Sequence, residues 1–385
     1  MQNSRSYIVT RGGGDRSHGR QEQMFEPGSA GTTTREANSV AVPLRSNIPA
    51  ILVPLALLLS KKLTPAAKFL WIRLRLEEHR RRRRSHATRK LAKRTGLARS
   101  TVILALRQAS DEGWLVPEVG PGGRKRWKTA CPVQGGSGFV KIPVDLIRDS
   151  ETMRPQEVVC YGILQAVPSF NGTTGMFKWA ELRRLTGWHL KTVKRAVRAL
   201  ARELWIGLAQ KNRLAPIRYR LQHADEARLD LVRRRLEERM FVGEAIMQEV
   251  LSLIAATDQC QERARPDFLV NPATGEKMEL DRYYPLNHVA FEFNGSQHYV
   301  ASGRFSKEEV SAQRKRDALK RQICKREKIK LVIIHAEDLK VNRLLKKVGD
   351  SLPKRSLRIL KQTIKYLNRC AEGYYRKVSL LGQGG

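Results

Sequence analysis

Two stretches of this chain repeat one order of signals, and that order restricts the fold more than composition does. "SHATRKLAKRTGLARSTVILALRQASDEGWLVPE" predicts a short helix, a turn at Gly96 and a second helix capped near Ser100. Leu91, Leu97, Val102, Leu104 and Leu106 supply its apolar positions. The segment "WLVPEVGPGGRKRWKTA" then reads as a strand, a Pro-Gly-Gly tip carrying Arg124, Lys125 and Arg126, and a returning strand. The same order recurs at 139–221: "FVKIPVDLIRD" leads into "MRPQEVVCYGILQAV", and "KWAELRRLTGWHLKTVKRAVRALARELWIGLAQ" supplies helix, Gly187 turn and helix. "WIGLAQKNRLAPIRYRLQ" closes it as strand, turn and strand with Lys211, Arg213, Arg218 and Arg220. Two similar modules in tandem support each other.

A helix precedes the first module. "TPAAKFLWIRLRLEEH" opens with Thr64 as N-cap and Pro65 at the first helical position, with Phe69, Leu70, Ile72, Leu74 and Leu76 mostly on one face. The run Arg80 to Arg84 follows, as a phosphate-binding edge or the solvated end of the helix.

The 385 residues carry 73 Lys and Arg against 37 acids, a net charge of +36. Such a surface gains by displacing the counterions condensed on a nucleic acid. An anionic membrane competes as partner, but "ILVPLALLL" is about half of the ~20 residues a bilayer needs, so no membrane partner is expected. No secretory signal is visible at the N-terminus. Cys131, Cys160, Cys260, Cys324 and Cys370 are widely spaced without a CxxC pair, the pattern of free thiols in a reducing cytoplasm. Residues 1–45 are rich in Gly, Ser, Thr, Arg and Gln and read as a disordered basic arm.

The last third changes character. Residues 224–256 keep helical spacing with a break near Gly243. Strand signals "KMELDRYYP" and "HVAFEFNG", the charged helix "SKEEVSAQRKRDALKRQICKREK" and the apolar strand "IKLVIIHA" then predict a mixed α/β domain, followed by a basic helical tail. If Pro285 to His288 close a hairpin, Tyr284 faces Val289, Asp281 lies opposite Glu292, and Glu279 lies opposite Asn294. Period-two alternation puts these four side chains on one face. Opposed acids repel, and a divalent cation between them removes the conflict. The competing reading is an exposed hairpin whose acids meet lysines and arginines.

"MELDRYYPLNHVAFEFNGSQHY", followed by "RKRDALKRQICKREKIKLVIIHAEDL", resembles the PD-(D/E)XK nuclease superfamily over roughly residues 240–340, in particular the very-short-patch-repair and homing-endonuclease-like branch. The resemblance implies Asp281 and Glu292 as ligands of Mg²⁺ or Mn²⁺, completed by an acid on the preceding helix, Glu244 in preference to Glu249. The family's Lys two residues after the acid is Asn294 here, so Gln297, His298 or Lys320 has to supply that function. His298 serves as proton relay or water orienter, or as a packing residue. Asp317 and Lys320 form a surface ion pair, or Lys320 faces the site.

The tandem segments resemble winged-helix domains, with some similarity to those of plasmid replication initiators in "LTPAAKFLWIRL". That resemblance puts the second helix of each module in the major groove: Arg99, Ser100, Thr101 and Arg107 in one, His189, Lys191, Thr192, Lys194, Arg195 and Arg198 in the other.

The expected fold is multidomain, two α-rich winged helix-turn-helix domains at 46–135 and 136–222, then a restriction-endonuclease-like α/β domain with a mixed sheet at 223–345 and a tail at 346–385. The expected function is a metal-dependent DNA endonuclease acting on double-stranded DNA in the cytoplasm, in a prokaryotic, phage or mobile-element setting, with a homodimer as an open option. The alternative is a non-catalytic replication initiator or regulator that keeps the nuclease fold. A nuclease acting on RNA is a third reading.

Overall fold

The computed structural model describes residues 49–79, 87–120, 123, 125–132, 138–149, 152–167, 173–212, 214–257, 259–295 and 307–383. The arm 1–45, Arg80 to Arg84, Arg124, Arg213, Gln297 and His298 lie outside the described residues. Among those described, thirteen α-helices and mixed sheets form a multidomain α/β protein.

The first half runs β1 (Ala50–Pro54), α1 (Leu55–Leu59), α2 (Pro65–His79), α3 (Thr88–Thr95), α4 (Arg99–Asp111), β2 (Leu115–Val119) and β3 (Lys125–Thr129). It continues with β4 (Phe139–Pro143), α5 (Val144–Arg148), α6 (Pro155–Ala166), β5 (Thr174–Phe177), α7 (Trp179–Thr186), α8 (Leu190–Arg202), β6 (Ile206–Ala209) and β7 (Ile217–Leu221). The second series repeats the first, with β5 added to its sheet.

The repetition is carried by local chemistry. Gly96 and Gly187 end α3 and α7 at φ 69°, the left-handed region that glycine enters without a Cβ clash. Thr95 and Thr186 donate their hydroxyls to the Leu91 and Leu182 carbonyls at 2.8 and 2.9 Å. Trp114 stands edge-on to Trp71 at 6.4 Å, and Trp205 stands edge-on to Tyr161 at 6.2 Å.

The two series meet through equivalent strands. β1 and β4 pair antiparallel, with Leu52 opposite Lys141 at the centre, Ile51 opposite Ile142, and Val53 opposite Val140. Pro54 and Pro143 both end their strands, and each faces the first residue of the other. Such self-complementary pairing is what a dyad imposes on two like units. Helices α2 and α6 also pack on each other, and one continuous core runs from Ile51 to Ala224 through both series.

Several expectations change here. α2 buries Lys68, Trp71 and Glu77 as well as its predicted stripe, because α4, α6 and β3 surround it. Thr64 does cap it, accepting from Ala67 N at 3.3 Å. The cap of α4 is Ala98, with Ser100 inside the first turn. Leu104, expected in the core, is 61 % exposed, because only Val102, Ala105, Leu106 and Ala109 face inward.

The second half comprises α9 (Ala224–Glu237), α10 (Val242–Ile254), β8 (Gln261–Ala264), β9 (Leu280–Tyr284), β10 (Val289–Asn294), α11 (Lys307–Arg326), β11 (Lys330–His335), α12 (Val341–Val348) and α13 (Lys361–Gln383). Its sheet has the order β11-β10-β9-β8, with β10 and β11 parallel and the other pairs antiparallel. The parallel pair needs a crossover, which α11 provides. A Cβ on Gly243 would sit 2.4 Å from the Phe293 ring, so only glycine lets the start of α10 approach the sheet this closely.

The basic helix read as a tail is part of this core: Leu367 and Ala371 of α13 are buried with residues of α10 and β10. Asp225 on α9 accepts from the Gln362 and Thr363 amides at 2.7 and 3.0 Å and so holds the first turn of α13. Arg355 reaches Glu203, just after α8, at 3.3 Å and ties the two halves together.

Candidate functional site

The hairpin β9–β10 sets the site. Its loop is a single 3-10 turn, Pro285–Asn287, closed by His288 at φ 49°. Tyr284 pairs with Val289, Tyr283 with Ala290 and Phe291 with Arg282, the register obtained by counting along the sequence. Continuing it brings Asp281 beside Glu292. There the side chain takes over from the backbone ladder, and Phe293 N donates to Asp281 Oδ2 at 2.7 Å.

Alternation sends the neighbours of Asp281 to the other face. Arg282, Tyr284, Val289 and Phe291 look toward α10, whereas Glu292 looks toward α11. Lys320 of α11 donates its ammonium to Glu292 Oε1, both side chains being largely buried. Of the two readings of Asp317 and Lys320, a surface ion pair or Lys320 facing the site, α11 has Lys320 on Glu292. Asp317 instead accepts from Gln313 Nε2 at 2.9 Å and raises the potential cost of charge on Glu292. Glu292, Asn294, Asp317, Lys320 and Arg321 line a cavity of about 20 Å³, room for roughly one water.

Electrostatically the site holds more acid than its lysine neutralises. Burial first, and then the charge of Glu292, pushes Asp281 up to about 7; the Phe293 amide and Lys320 act in the opposite direction. Burial also raises Glu292, and Lys320 draws it back. Glu292 Oε2 is buried with no hydrogen-bond partner among the described residues. A carboxylate oxygen without a donor is costly unless something else binds it.

Other expected members are arranged differently. Glu279 bonds to Arg265 at 3.0 Å rather than joining the pair. Glu244, in the first turn of α10, accepts from Gln248 at 2.8 Å and lies 3.8 Å from Arg263; burial and then Asp281 raise its pKa, so it feels the site electrostatically. Glu249 pairs with Arg235 at 3.3 Å, away from Asp281. Among the described residues no group of three or more His, Cys, Asp or Glu converges to hold a metal ion. The donors that fit a hard cation are therefore Asp281 and Glu292, with Glu292 Oε2 as the oxygen still open.

The sequence reading missed Arg282. It is 4 % exposed, donates to Gln248 O at 2.6 Å, Ser252 Oγ at 2.8 Å and Cys260 Sγ at 3.1 Å, and fixes β9 on α10. It also missed an exposed apolar tip before Glu244, where Met240 is 89 % and Phe241 56 % exposed.

In the first half, α4 exposes Arg99, Ser100 and Arg107 and half-buries Thr101. Lys125 and Arg126 lie on β3, Arg126 opposite Glu118. α8 exposes Lys191, Arg195 and Arg198, half-buries Thr192, and holds Lys194 over the Trp179 ring at 5.6 Å. His189 caps α8, its Nδ1 accepting from Lys191 N at 3.2 Å, which removes that nitrogen from other contacts. Lys211 and Arg218 are exposed.

Among the described residues no helix is long and apolar enough to cross a membrane. No family model matches the chain, and no solved structure matches it. Three viral proteins are similar over part of their length. Uncharacterized protein 033L of Invertebrate iridescent virus 3 is 44% identical over 64 residues, 16% of this chain and 33% of that protein. Uncharacterized protein 307L of Invertebrate iridescent virus 6 is 40% identical over 77 residues, 18% and 39% of the two chains. Uncharacterized protein 094L of Frog virus 3 is 36% identical over 93 residues, 23% and 59% of the two chains. The chain thus spans between a third and three fifths of the length of these curated relatives.

Proposed function

We propose that the chain is a metal-dependent endodeoxyribonuclease in which tandem winged-helix modules grip duplex DNA and a PD-(D/E)XK-type domain hydrolyses a phosphodiester bond. One observation carries the reading: the half-buried Asp281–Glu292 pair shares a single ammonium, from Lys320, and leaves Glu292 Oε2 without a partner among the described residues. A purely structural pairing would neutralise both acids.

Asp281 and Glu292 would hold Mg²⁺ or Mn²⁺, leaving sites for water and substrate phosphate. Bound there, the ion supplies Lewis-acid polarisation of the phosphate and a water of lowered pKa. In hydrolysis the water oxygen bonds to phosphorus, one ester P–O bond breaks, and the departing oxygen leaves with a proton. Lys320 provides the positive charge that Asn294 cannot, and stabilises the charge that builds on the phosphoryl oxygens. The dyad of the first half supplies two DNA-gripping modules in one chain, so a homodimer is not needed to hold both sides of a site. The viral relatives favour a viral or mobile-element setting.

A second reading, a DNA-binding protein without catalysis, is favoured by the absence of a third converging acid among the described residues. Incubation with supercoiled plasmid and with long linear duplex in Mg²⁺ separates the two. The nuclease reading expects nicked or cut DNA; binding that survives EDTA, with no scission over a broad range of duplexes, supports the second. Competition with RNA decides the polymer.

A further inference from the structure

The two modules share a scaffold but not a surface. Counting from the glycine turns, Gly96 matches Gly187, so the outward stripe of α4, Arg99, Ser100, Ile103, Leu104 and Arg107, matches Leu190, Lys191, Lys194, Arg195 and Arg198 of α8. Where α8 carries Lys194 and Arg195, α4 carries Ile103 and Leu104, 44 % and 61 % exposed. Helical spacing sets these two side chains between Arg99 and Arg107. The packed neighbour α3 adds exposed Lys90 and Lys93.

An apolar pair framed by cations fits one kind of partner. A second copy of this chain would bring like charges together in a molecule of net charge +36. Duplex DNA meets the frame with phosphates. Its major groove also offers an apolar group at the base edge, the C5 methyl of thymine.

Resting on the DNA-binding reading above, we propose that Ile103 and Leu104 are specificity-determining residues that pack on thymine methyl groups. The half-site under α4 is then thymine-rich, while Arg195 and Arg198 take guanine under α8. One chain therefore recognises two unlike half-sites, set in inverted orientation by the dyad. A site of that kind has a direction.

The test starts from duplexes selected out of a randomised library by the full chain. Each thymine of the selected site is replaced in turn by deoxyuridine, which lacks only the methyl, and each guanine by 7-deazaguanine, which lacks the N7 acceptor. The expected result is a loss of about four-fold in affinity for each contacted methyl, confined to one half-site and absent in the Ile103→Ala/Leu104→Ala double variant. The deazaguanine losses fall in the other half-site and are absent in Arg195→Ala/Arg198→Ala. Both apolar side chains are exposed, so the double variant should unfold at the wild-type temperature; if it does not, Leu104→Ala alone replaces it. Deoxyuridine replacement that is neutral throughout, or equally costly in the variant, overturns the proposal. So does duplex binding with no selected sequence. A chain that binds no duplex at all overturns the DNA-binding reading as well.

Discussion

Asp281 and Arg282 are adjacent on β9, both ionisable, one half-buried and one buried, yet their surroundings are opposite. Arg282 has a carbonyl, a hydroxyl and a thiol within hydrogen-bond distance and lies over the Tyr284 ring at 5.4 Å. Asp281 has one amide donor and a second acid whose charge raises its pKa. Among the described residues Arg282 Nε is without a partner while both terminal nitrogens are bonded, so most of its charge is met; a charge kept for chemistry stays uncomfortable until its ligand arrives. The two faces of one strand separate these roles by a single residue.

This contrast can be broken by experiment. Arg282→Met should cost roughly 3–5 kcal/mol of stability, read as a shift of the urea midpoint, because it strips a buried network of its donor. A cost under about 0.5 kcal/mol would make Arg282 no anchor. Lys320→Met should lower scission by about a hundred-fold or more, with Lys320→Arg retaining part of the rate. Equal rates in both variants would remove Lys320 from the chemistry.

On the acid face the sign reverses. The folded-state pKa of Asp281 is raised from 3.8 to about 7, so the unfolded chain ionises first and stability is lost as pH rises across that window. Asp281→Asn should therefore stabilise the metal-free protein by roughly 2–4 kcal/mol at pH 8, and by nothing below the unfolded pKa. A destabilised variant at pH 8 would contradict the comparison. The smallest effect is expected from the ion: Mg²⁺ well above its Kd should raise the wild-type unfolding temperature by a few degrees and leave Asp281→Asn unmoved.

What the sequence made legible follows from periodicity. The hairpin register came from period two and a four-residue loop, and the two helix-turn-helix stretches from apolar spacing and their glycines. Features set at long range were not legible. Pairing of β1 with β4 joins segments separated by four helices and a hairpin, and nothing local in "AILVP" announces it. β8, "QERA", is polar and mostly exposed, so it carried no strand signal until β9 completed it. Leu104 reads as core by composition and is exposed because the inward face of α4 is already full. The position of Lys320 depends on how α11 crosses the sheet, which no count along the chain provides.

The most direct measurement compares strand scission of supercoiled DNA in Mg²⁺ and in EDTA for wild type, Asp281→Ala and Glu292→Ala, with duplex binding measured alongside. The account predicts scission by wild type in Mg²⁺ alone, a loss of at least a hundred-fold in either variant, and binding that all three retain. Scission that persists in the variants or in EDTA, or wild type that binds and never cuts, would contradict it.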